Sequence, residues 1–213
     1  QPIGTWDVSG IENFYWEQAS DQFKVGMFQN CEDFDQELSD WRPRAARRMD
    51  RMFSGATAFD NAGSPGINDW DVSKVENFSG MFSNATRFNQ PIGSWDVSAG
   101  QTFSQMFYTA SAFDQDLSAW DIGNARNTAL MFSRASVFNN GGSPDINGWD
   151  VSRVTDMSGT NSPCRIEGIS CTRSRSSRLR RSTDSLPVAL SRYSQTNHGI
   201  RRRAFALRSE RAG

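Results

Sequence analysis

The feature of this sequence that most constrains its fold is an internal repeat of 25 to 29 residues. Five tryptophans recur with spacings of 29, 25, 25 and 29 residues, and a Met-Phe pair follows each of the first four by eleven residues. A further phenylalanine comes six residues after the Phe of each pair. The tryptophans are Trp41, Trp70, Trp95, Trp120 and Trp149, and the later phenylalanines are Phe59, Phe88, Phe113 and Phe138. A unit this short cannot bury its apolar side alone, so the repeats are expected to stack with these aromatic residues as the core.

The repeats divide the chain into two parts. Residues 1–159 hold five complete units with a partial unit at either end. The two 29-residue units share a four-residue insertion rich in Gly, Ser and Pro, which indicates a loop. The first unit has ten extra residues before Met27, and these bring Tyr15 and Trp16. Gln1 corresponds to Gln90 of a later repeat, so we expect the chain to be a fragment of a longer array.

Two periodicities alternate within a unit. One stripe of apolar residues has helical spacing, and Ser73 with Glu76 resembles a capping box at its start. The stripe consists of Val75, Phe78, Met81, Phe82 and Ala85. The following Phe88, Gln90 and Ile92 alternate as in a short strand with one buried face. The sequence therefore predicts an α/β repeat solenoid, similar to a leucine-rich repeat, with one short parallel strand and one short helix per coil of about 25 residues. The amides at the middle strand position are expected to stack as a ladder, namely Gln36, Asn61, Gln90, Gln115 and Asn140.

The repeat WDVSKVENFSGMFSNATRFNQPIGSW resembles that of the BspA-like leucine-rich-repeat surface proteins, a group that includes the domain of unknown function 285. The resemblance covers roughly residues 1–159. It implies a solenoid on the cell surface or in a secreted protein, used for binding or adhesion, without known catalysis. It carries over no catalytic residue and no cofactor.

The outward side of the predicted strands is a candidate binding surface. An extended face across stacked repeats is where partners of repeat proteins usually bind, although the same charges also suit a solvated face that prevents aggregation. The residues are Asp35, Glu37, Asp60, Asn89, Asp114, Asp116 and Asn139. A second candidate is a basic patch on one predicted helix, formed by Arg44, Arg47, Arg48 and Arg51. The expected partner is a protein or another macromolecule. Two alternative functions stay open: an intracellular interaction scaffold of the same fold, and a carbohydrate-binding module that uses Tyr15 and Trp16.

The sequence gives little support to catalysis. The only histidine is His198, outside the repeats, so a histidine-based triad or metal cluster lacks material there. The carboxylates recur with the repeat and form no distinctive pair. We therefore predict no catalytic residue, no metal site and no cofactor. No run of about 18 apolar residues is present, so no membrane span is expected in this sequence.

The composition changes abruptly after Gly159. Residues 1–159 contain 11 Lys and Arg against 21 Asp and Glu, whereas residues 160–213 contain 12 Arg against three acids. Three interpretations of this Arg- and Ser-rich tail stay open: a disordered extension, a segment that binds nucleic acid or an anionic surface, and sequence that is not native to the protein. Nucleic-acid binding is the least favoured, since no folded reader accompanies the arginines.

The three cysteines have separate interpretations. Cys31 stands in the repeat position that Ala56 and Ala85 occupy, so it is expected to be a small buried residue. Cys164 and Cys171 lie in the tail, and the sequence leaves open whether they form a disulfide.

Overall fold

The computed structural model describes residues 2–17, 24–143 and 148–159. In these ranges the regular elements are short. Strands β1 (Tyr15–Glu17) and β2 (Lys24–Gly26) form an antiparallel pair, and three 3₁₀ segments span Asn61–Gly63, Pro65–Asp69 and Asn140–Gly142. The rest consists of turns and extended segments that stack repeat against repeat. The predicted tail, with its Arg clusters, Cys164, Cys171 and His198, lies outside the described residues.

Alternate residues of each repeat bond to different neighbours. The amides of Phe78, Gly80 and Phe82 donate to the carbonyls of the residues 24 positions later, at 2.8–2.9 Å. Between them, the Met81 amide donates to the Phe78 carbonyl at 3.1 Å and the Ala85 amide to the Phe82 carbonyl at 3.1 Å. The third residues of these two turns, Gly80 and Asn84, have positive φ, as a type II turn requires. The backbone of each repeat is thus satisfied half by its own turns and half by the next repeat.

The predicted helix is wrong. The apolar stripe from Val75 to Ala85 lies on consecutive turns closed by bonds between residues i and i+3, and the described residues contain no α-helix. Successive three-residue turns bring every third side chain to the same side, which reproduces much of the spacing of a helix. The left-handed residues Gly80 and Asn84 interrupt any right-handed helix. The apparent cap is also different, because the Glu76 amide donates to the Arg47 carbonyl of the preceding repeat.

The predicted parallel strand is wrong as well. The prediction of an α/β solenoid similar to a leucine-rich repeat is therefore also wrong. Residues Phe88, Gln90 and Ile92 form no strand, and the one described sheet is the antiparallel β1–β2 pair. Parallel contact between repeats occurs elsewhere, as a row of single-residue bridges. The row runs through Asn13, Arg48, Asn77, Thr102, Asn127 and Asp156.

The predicted aromatic core is confirmed. Phe53, Phe82 and Phe107 are buried and stack in a column with centroid separations of 5.6 and 5.8 Å. Within each repeat the second phenylalanine lies close to the first, with Phe82 and Phe88 at 3.8 Å. Trp41, Trp70, Trp95 and Trp120 are buried, Trp149 is half-buried, and Trp6 is exposed. Each such ring pair adds about 0.5–1.5 kcal/mol beyond its buried area.

Tryptophans also link the repeats through hydrogen bonds. The indole Nε1 of Trp70 donates to the Leu38 carbonyl at 3.0 Å, and the same carbonyl accepts the Trp41 amide of its own repeat at 3.1 Å. The pattern recurs in five pairs: Trp41 to Ile3, Trp70 to Leu38, Trp95 to Ile67, Trp120 to Ile92 and Trp149 to Leu117. The tryptophan thus fixes the register between consecutive repeats.

The predicted amide ladder is replaced by side chain to backbone bonds. Asn61 and Asn140 are buried, and their Oδ1 atoms accept the amides of Leu38 and Leu117 at 2.7 and 2.8 Å. The Gln90 Nε2 donates to the Asp60 carbonyl at 2.8 Å. These amides therefore bond to the backbone of the adjacent repeat instead of to one another, and Gln115 bonds in addition to the side chain of Asn89 at 2.8 Å.

The insertions leave the stack intact. The ten-residue insertion of the first unit forms the β1–β2 hairpin, and the Met27 amide still donates to the Phe14 carbonyl at 3.0 Å, as Met81 does to Phe78. The first four-residue insertion starts with a left-handed turn in which Asn61, Ala62 and Gly63 all have positive φ.

Cys31 is exposed, so the prediction that it is a small buried residue is wrong.

Candidate functional site

The first predicted surface is a column of hydrogen bonds, here called the acidic column and formed by Asp35, Asp60, Asn89, Asp114 and Asn139. Each of the first four side chains accepts the backbone amide of the equivalent residue in the next repeat. Asp35 Oδ1 accepts the Asp60 amide at 2.8 Å, and Asp60 Oδ1 accepts the Asn89 amide at 2.9 Å. In the same way, Asn89 Oδ1 accepts the Asp114 amide at 2.9 Å, and Asp114 Oδ1 accepts the Asn139 amide at 2.6 Å. One oxygen of each side chain therefore stabilises the stack, whether the side chain is charged or neutral.

Glu37 and Asp116 lie outside this column and are exposed. Hydrogen bonds from the hydroxyls of Ser64 and Ser39 lower the pKa of Glu37. Hydrogen bonds from the Ser118 hydroxyl and amide lower the pKa of Asp116. Local donors therefore favour the charged carboxylates of Glu37 and Asp116, which lie two residues after Asp35 and Asp114 of the acidic column.

The predicted basic patch is divided between several partners. Arg47 Nη1 lies 3.3 Å from Glu76 Oε1, and Arg48 Nε lies 2.9 Å from Asp50 Oδ1. Arg51 Nη1 donates to the Lys24 carbonyl at 3.4 Å. Arg44 is exposed. Hydrogen bonds from the Ser9 and Ser73 hydroxyls are the main cause of the lowered pKa of Asp7 and Asp71, and the Arg44 charge adds a smaller effect to both. These arginines lie on turns instead of a helix, and Arg47 and Arg48 are the two that line a common groove.

The most regular surface is the bridge face, which consists of two adjacent rows. One row is the series of bridges through Asn13, Arg48, Asn77, Thr102, Asn127 and Asp156. The other comprises the preceding residues Glu12, Arg47, Glu76, Gln101, Arg126 and Thr155. In this second row one carbonyl accepts two amides of the next repeat, as the Glu76 carbonyl does from Gln101 and Thr102 at 2.8 and 3.3 Å. The backbone is therefore constant along the face while the side chains differ from repeat to repeat.

A groove of about 290 Å³ crosses the bridge face. It is lined by residues of four successive repeats: Asn13, Arg47, Arg48, Glu76, Asn77, Gln101 and Thr102. The two charges along its second row, Arg47 and Glu76, pair with each other, and Gln101 Nε2 donates to Glu76 Oε2 at 3.3 Å. The groove thus presents a chain of paired donors and acceptors with little net charge.

The hairpin beside the groove carries two aromatic residues in different environments. Tyr15 is half-buried, with Lys24 Nζ 4.4 Å and the Arg48 guanidinium carbon 5.4 Å from its ring centroid. Lys24 Nζ also donates to the Tyr15 hydroxyl at 3.0 Å. Trp16 is 62 % exposed. Neighbouring residues of a strand point to opposite faces, so Trp16 points away from the side on which Tyr15 meets Arg48.

Of the residues that line the groove, only Arg47 and Arg48 are predicted from the sequence to be functional. Asn13, Asn77 and Thr102 stand at the position that precedes a buried phenylalanine, inside the stretch taken for a helix. A signal for them exists in the sequence, because the position before each of them changes in charge between otherwise similar repeats.

The described ranges contain no group of three or more His, Cys, Asp or Glu side chains placed to hold a metal ion. They also contain no helix long and apolar enough to cross a membrane.

The chain matches a known family. The model of the family described as Mycoplasma protein of unknown function, DUF285, matches residues 1–65 and 61–165. No curated protein and no solved structure matched the chain.

Proposed function

We propose a function from the premise that this chain belongs to the family described as Mycoplasma protein of unknown function, DUF285. The stacked repeats are a non-catalytic binding module of a cell-surface or secreted protein. The module holds another macromolecule along the bridge face, where the groove lies. This proposal includes a relationship to the BspA-like surface proteins, which the repeat motif supports. The proposed location at the cell surface depends on that relationship.

One observation carries the proposal: the exterior of the repeats varies over a constant interior. The second phenylalanine of each repeat is buried or half-buried at the same place in five repeats, and it is always phenylalanine. On the bridge face, the exposed row changes from glutamate through arginine to glutamine and threonine. Because the backbone beneath this row is regular, these changes alter recognition without altering the fold. Repeat proteins commonly bind through such an extended face.

Binding experiments with the full chain test this proposal. The protein and a Gln101→Ala variant are applied to an array of purified extracellular proteins and glycans. Gln101 is an exposed groove residue. Its truncation to alanine is expected to weaken binding by about tenfold, because the complex loses one or two hydrogen bonds. Arg87→Ala is the matched control, because Arg87 is exposed and lies outside the groove lining. An array without bound partners, or equal losses in both variants, would contradict the proposal.

The alternative of an intracellular scaffold has the same fold and a different compartment. Protease treatment of intact cells that express the complete natural protein separates the two. Digestion of the repeats from outside supports the surface location, whereas full protection supports the scaffold.

Carbohydrate is a second candidate for the bound macromolecule, because Trp16 offers an aromatic surface that is 62 % exposed. Tryptophan combines an apolar body with a polar N–H group and suits such contacts. Nucleic acid is not the proposed partner, since Arg47 and Arg48 both have acidic partners within 3.3 Å.

A further inference from the structure

The groove on the bridge face has a chemistry that selects among macromolecules. We propose that it binds a linear, neutral, β-linked oligosaccharide, with successive sugar rings meeting successive repeats. This inference rests on the proposed binding function and names the class of ligand for the same surface. It differs from the alternative based on Trp16, because it assigns recognition to the side chains of the groove.

The first argument is that the backbone of the groove is already occupied. The Glu76 carbonyl accepts the Gln101 and Thr102 amides, and the Arg47 carbonyl accepts the Glu76 amide at 2.8 Å. Amides and carbonyls of this row thus bond along the stack, from one repeat to the next. An extended peptide adds to a protein mainly through free backbone groups at a sheet edge. The groove therefore recognises its ligand through side chains.

The second argument concerns charge. Arg47 and Glu76 are paired at 3.3 Å, and their side chains are 57 % and 46 % exposed, so both remain accessible. Arg48 is paired with Asp50 at 2.9 Å. An anionic ligand would meet the Glu76 carboxylate, and a cationic ligand would meet the Arg47 guanidinium. A neutral ligand avoids both repulsions and can bond to both groups.

The third argument concerns the type of hydrogen-bonding group. Arginine offers donors in a planar fork, carboxylate offers acceptors, and Asn, Gln and Thr side chains offer both. Asn77 Oδ1 accepts the Ser79 amide at 2.9 Å, and Gln101 Nε2 donates to Glu76 at 3.3 Å. The groups left for a ligand are therefore the Asn77 amide nitrogen and the Gln101 amide oxygen, one donor and one acceptor in neighbouring repeats. Hydroxyl groups of a sugar are donors and acceptors at once, and vicinal hydroxyls match two-pronged partners. A polyhydroxylated ligand can therefore bond to the donor and the acceptor that the lining leaves unused.

The fourth argument is the spacing. Parallel bridges hold neighbouring backbones about 4.7–4.9 Å apart, and the bridge row contributes one residue per repeat from Asn13 to Thr102. An extended β-1,4-linked chain of pyranose rings advances by slightly more than this distance per ring, so rings and repeats stay in step over a few units. Four repeats line the groove, so up to four successive rings can contact it by one edge, and rings beyond these gain little more.

Titration calorimetry of the full chain with cellobiose, cellohexaose and hexa-N-acetylchitohexaose, all of them neutral, tests the inference. At least one hexasaccharide is expected to bind more tightly than cellobiose. Gln101→Ala should weaken that binding by about tenfold, while Trp16→Ala and Arg87→Ala should leave it unchanged. Far-ultraviolet circular dichroism and thermal unfolding of each variant exclude loss of the fold as the cause.

The outcomes separate this inference from the function on which it rests. If neither hexasaccharide binds at millimolar concentration, or if Trp16→Ala abolishes binding and Gln101→Ala does not, the inference is overturned. If proteins on the array bind through Gln101 while both hexasaccharides fail, the binding function stands and the saccharide is wrong. If neither proteins nor glycans bind, both are wrong.

Discussion

The indole nitrogen of Trp95 donates to the main-chain oxygen of Ile67 at 2.9 Å, across 28 residues of sequence. The Ile67 carbonyl also accepts the amide of Trp70 at 3.3 Å, within its own repeat. One carbonyl therefore closes a turn of its own repeat and accepts a hydrogen bond from the next repeat. This shared acceptor explains why the tryptophan is the most regular mark in the sequence.

Replacing Trp95 by phenylalanine is expected to lower the free energy of unfolding by about 2 kcal/mol. The variant loses one hydrogen bond and leaves a space beside the smaller ring, because Trp95 is buried. Urea denaturation followed by circular dichroism measures the change. Trp16→Phe is the control and should stay within about 0.5 kcal/mol, as for other exposed positions. Equal effects in the two variants would show that the indole bond does not stabilise the stack.

The acidic column is expected to depend on hydrogen bonding more than on charge. Asp60→Ala removes the acceptor of the Asn89 amide and should cost about 1 kcal/mol. Asp60→Asn keeps an acceptor oxygen, as Asn89 does naturally for the Asp114 amide, and should cost less than about 0.5 kcal/mol. Thermal and urea unfolding compare the variants. A large loss in Asp60→Asn would instead indicate that the negative charge itself is required.

The left-handed turn of the four-residue insertion predicts an unusual stabilising substitution. Ala62 has a φ of 51°, and Gly141, which occupies the same position in a later repeat, has a φ of 60°. Alanine is strained in this region while glycine is not. Ala62→Gly is therefore expected to raise the unfolding free energy by up to about 1 kcal/mol. Ala58→Gly, at a position outside the left-handed region, should lower it by about 0.5–1 kcal/mol.

The hairpin of the first unit should be removable. The Phe14 carbonyl accepts the Met27 amide at 3.0 Å across the insertion, as the Phe78 carbonyl accepts Met81 at 3.1 Å without one. Deletion of residues 16–25 leaves Phe14-Tyr15-Gly26-Met27, which matches Phe-Ser-Gly-Met of the later repeat. The shortened chain is expected to keep its circular dichroism spectrum and its cooperative unfolding. Broad or early unfolding would mean that the hairpin stabilises the first repeats.

Acid is expected to destabilise the stack. A hydrogen bond from the Ser73 hydroxyl, with a further bond from its amide, lowers the pKa of Asp71 below its ordinary value. A lowered pKa in the folded state gives stability that is present above the unfolded value, about 3.9, and is lost as the pH falls through the folded value. Melting temperatures measured from pH 7 to pH 2.5 should therefore fall below about pH 4. The Ser73→Ala variant should lose less between these limits, and an identical profile would contradict this role of Ser73.

The sequence was sufficient to predict the repeat and its core, because burial depends mainly on residue type and period. Phe82, Phe88 and Trp95 are buried as their recurrence indicated. The local structure could not be predicted in the same way. Three-residue turns and a helix place apolar side chains at similar intervals, and only the left-handed φ of residues such as Gln105 and Leu130 separates them. Neither residue type signals that conformation.

The candidate site was predictable in part. Asp35 and Asp60 recur in register and are half-buried, and their Oδ1 atoms bond to a repeat that is 25 to 29 residues away in sequence. Sequence spacing cannot show that such a side chain accepts a distant amide. The groove depends on the bridge row, which appears only once Arg48, Asn77 and Thr102 are placed side by side.

The bonds between repeats have a consequence for how such a chain changes in evolution. Trp120 donates to Ile92 in the same way as Trp95 donates to Ile67, so the two sides of a repeat carry complementary and interchangeable contacts. Loss of the 25 residues from Trp95 to Ala119 would bring Trp120 onto the carbonyl that Trp95 had used. Duplication of the same stretch would create one more pair of the same kind. Genes of this type can therefore lengthen or shorten by whole units, and each new unit is free to acquire its own exposed residues.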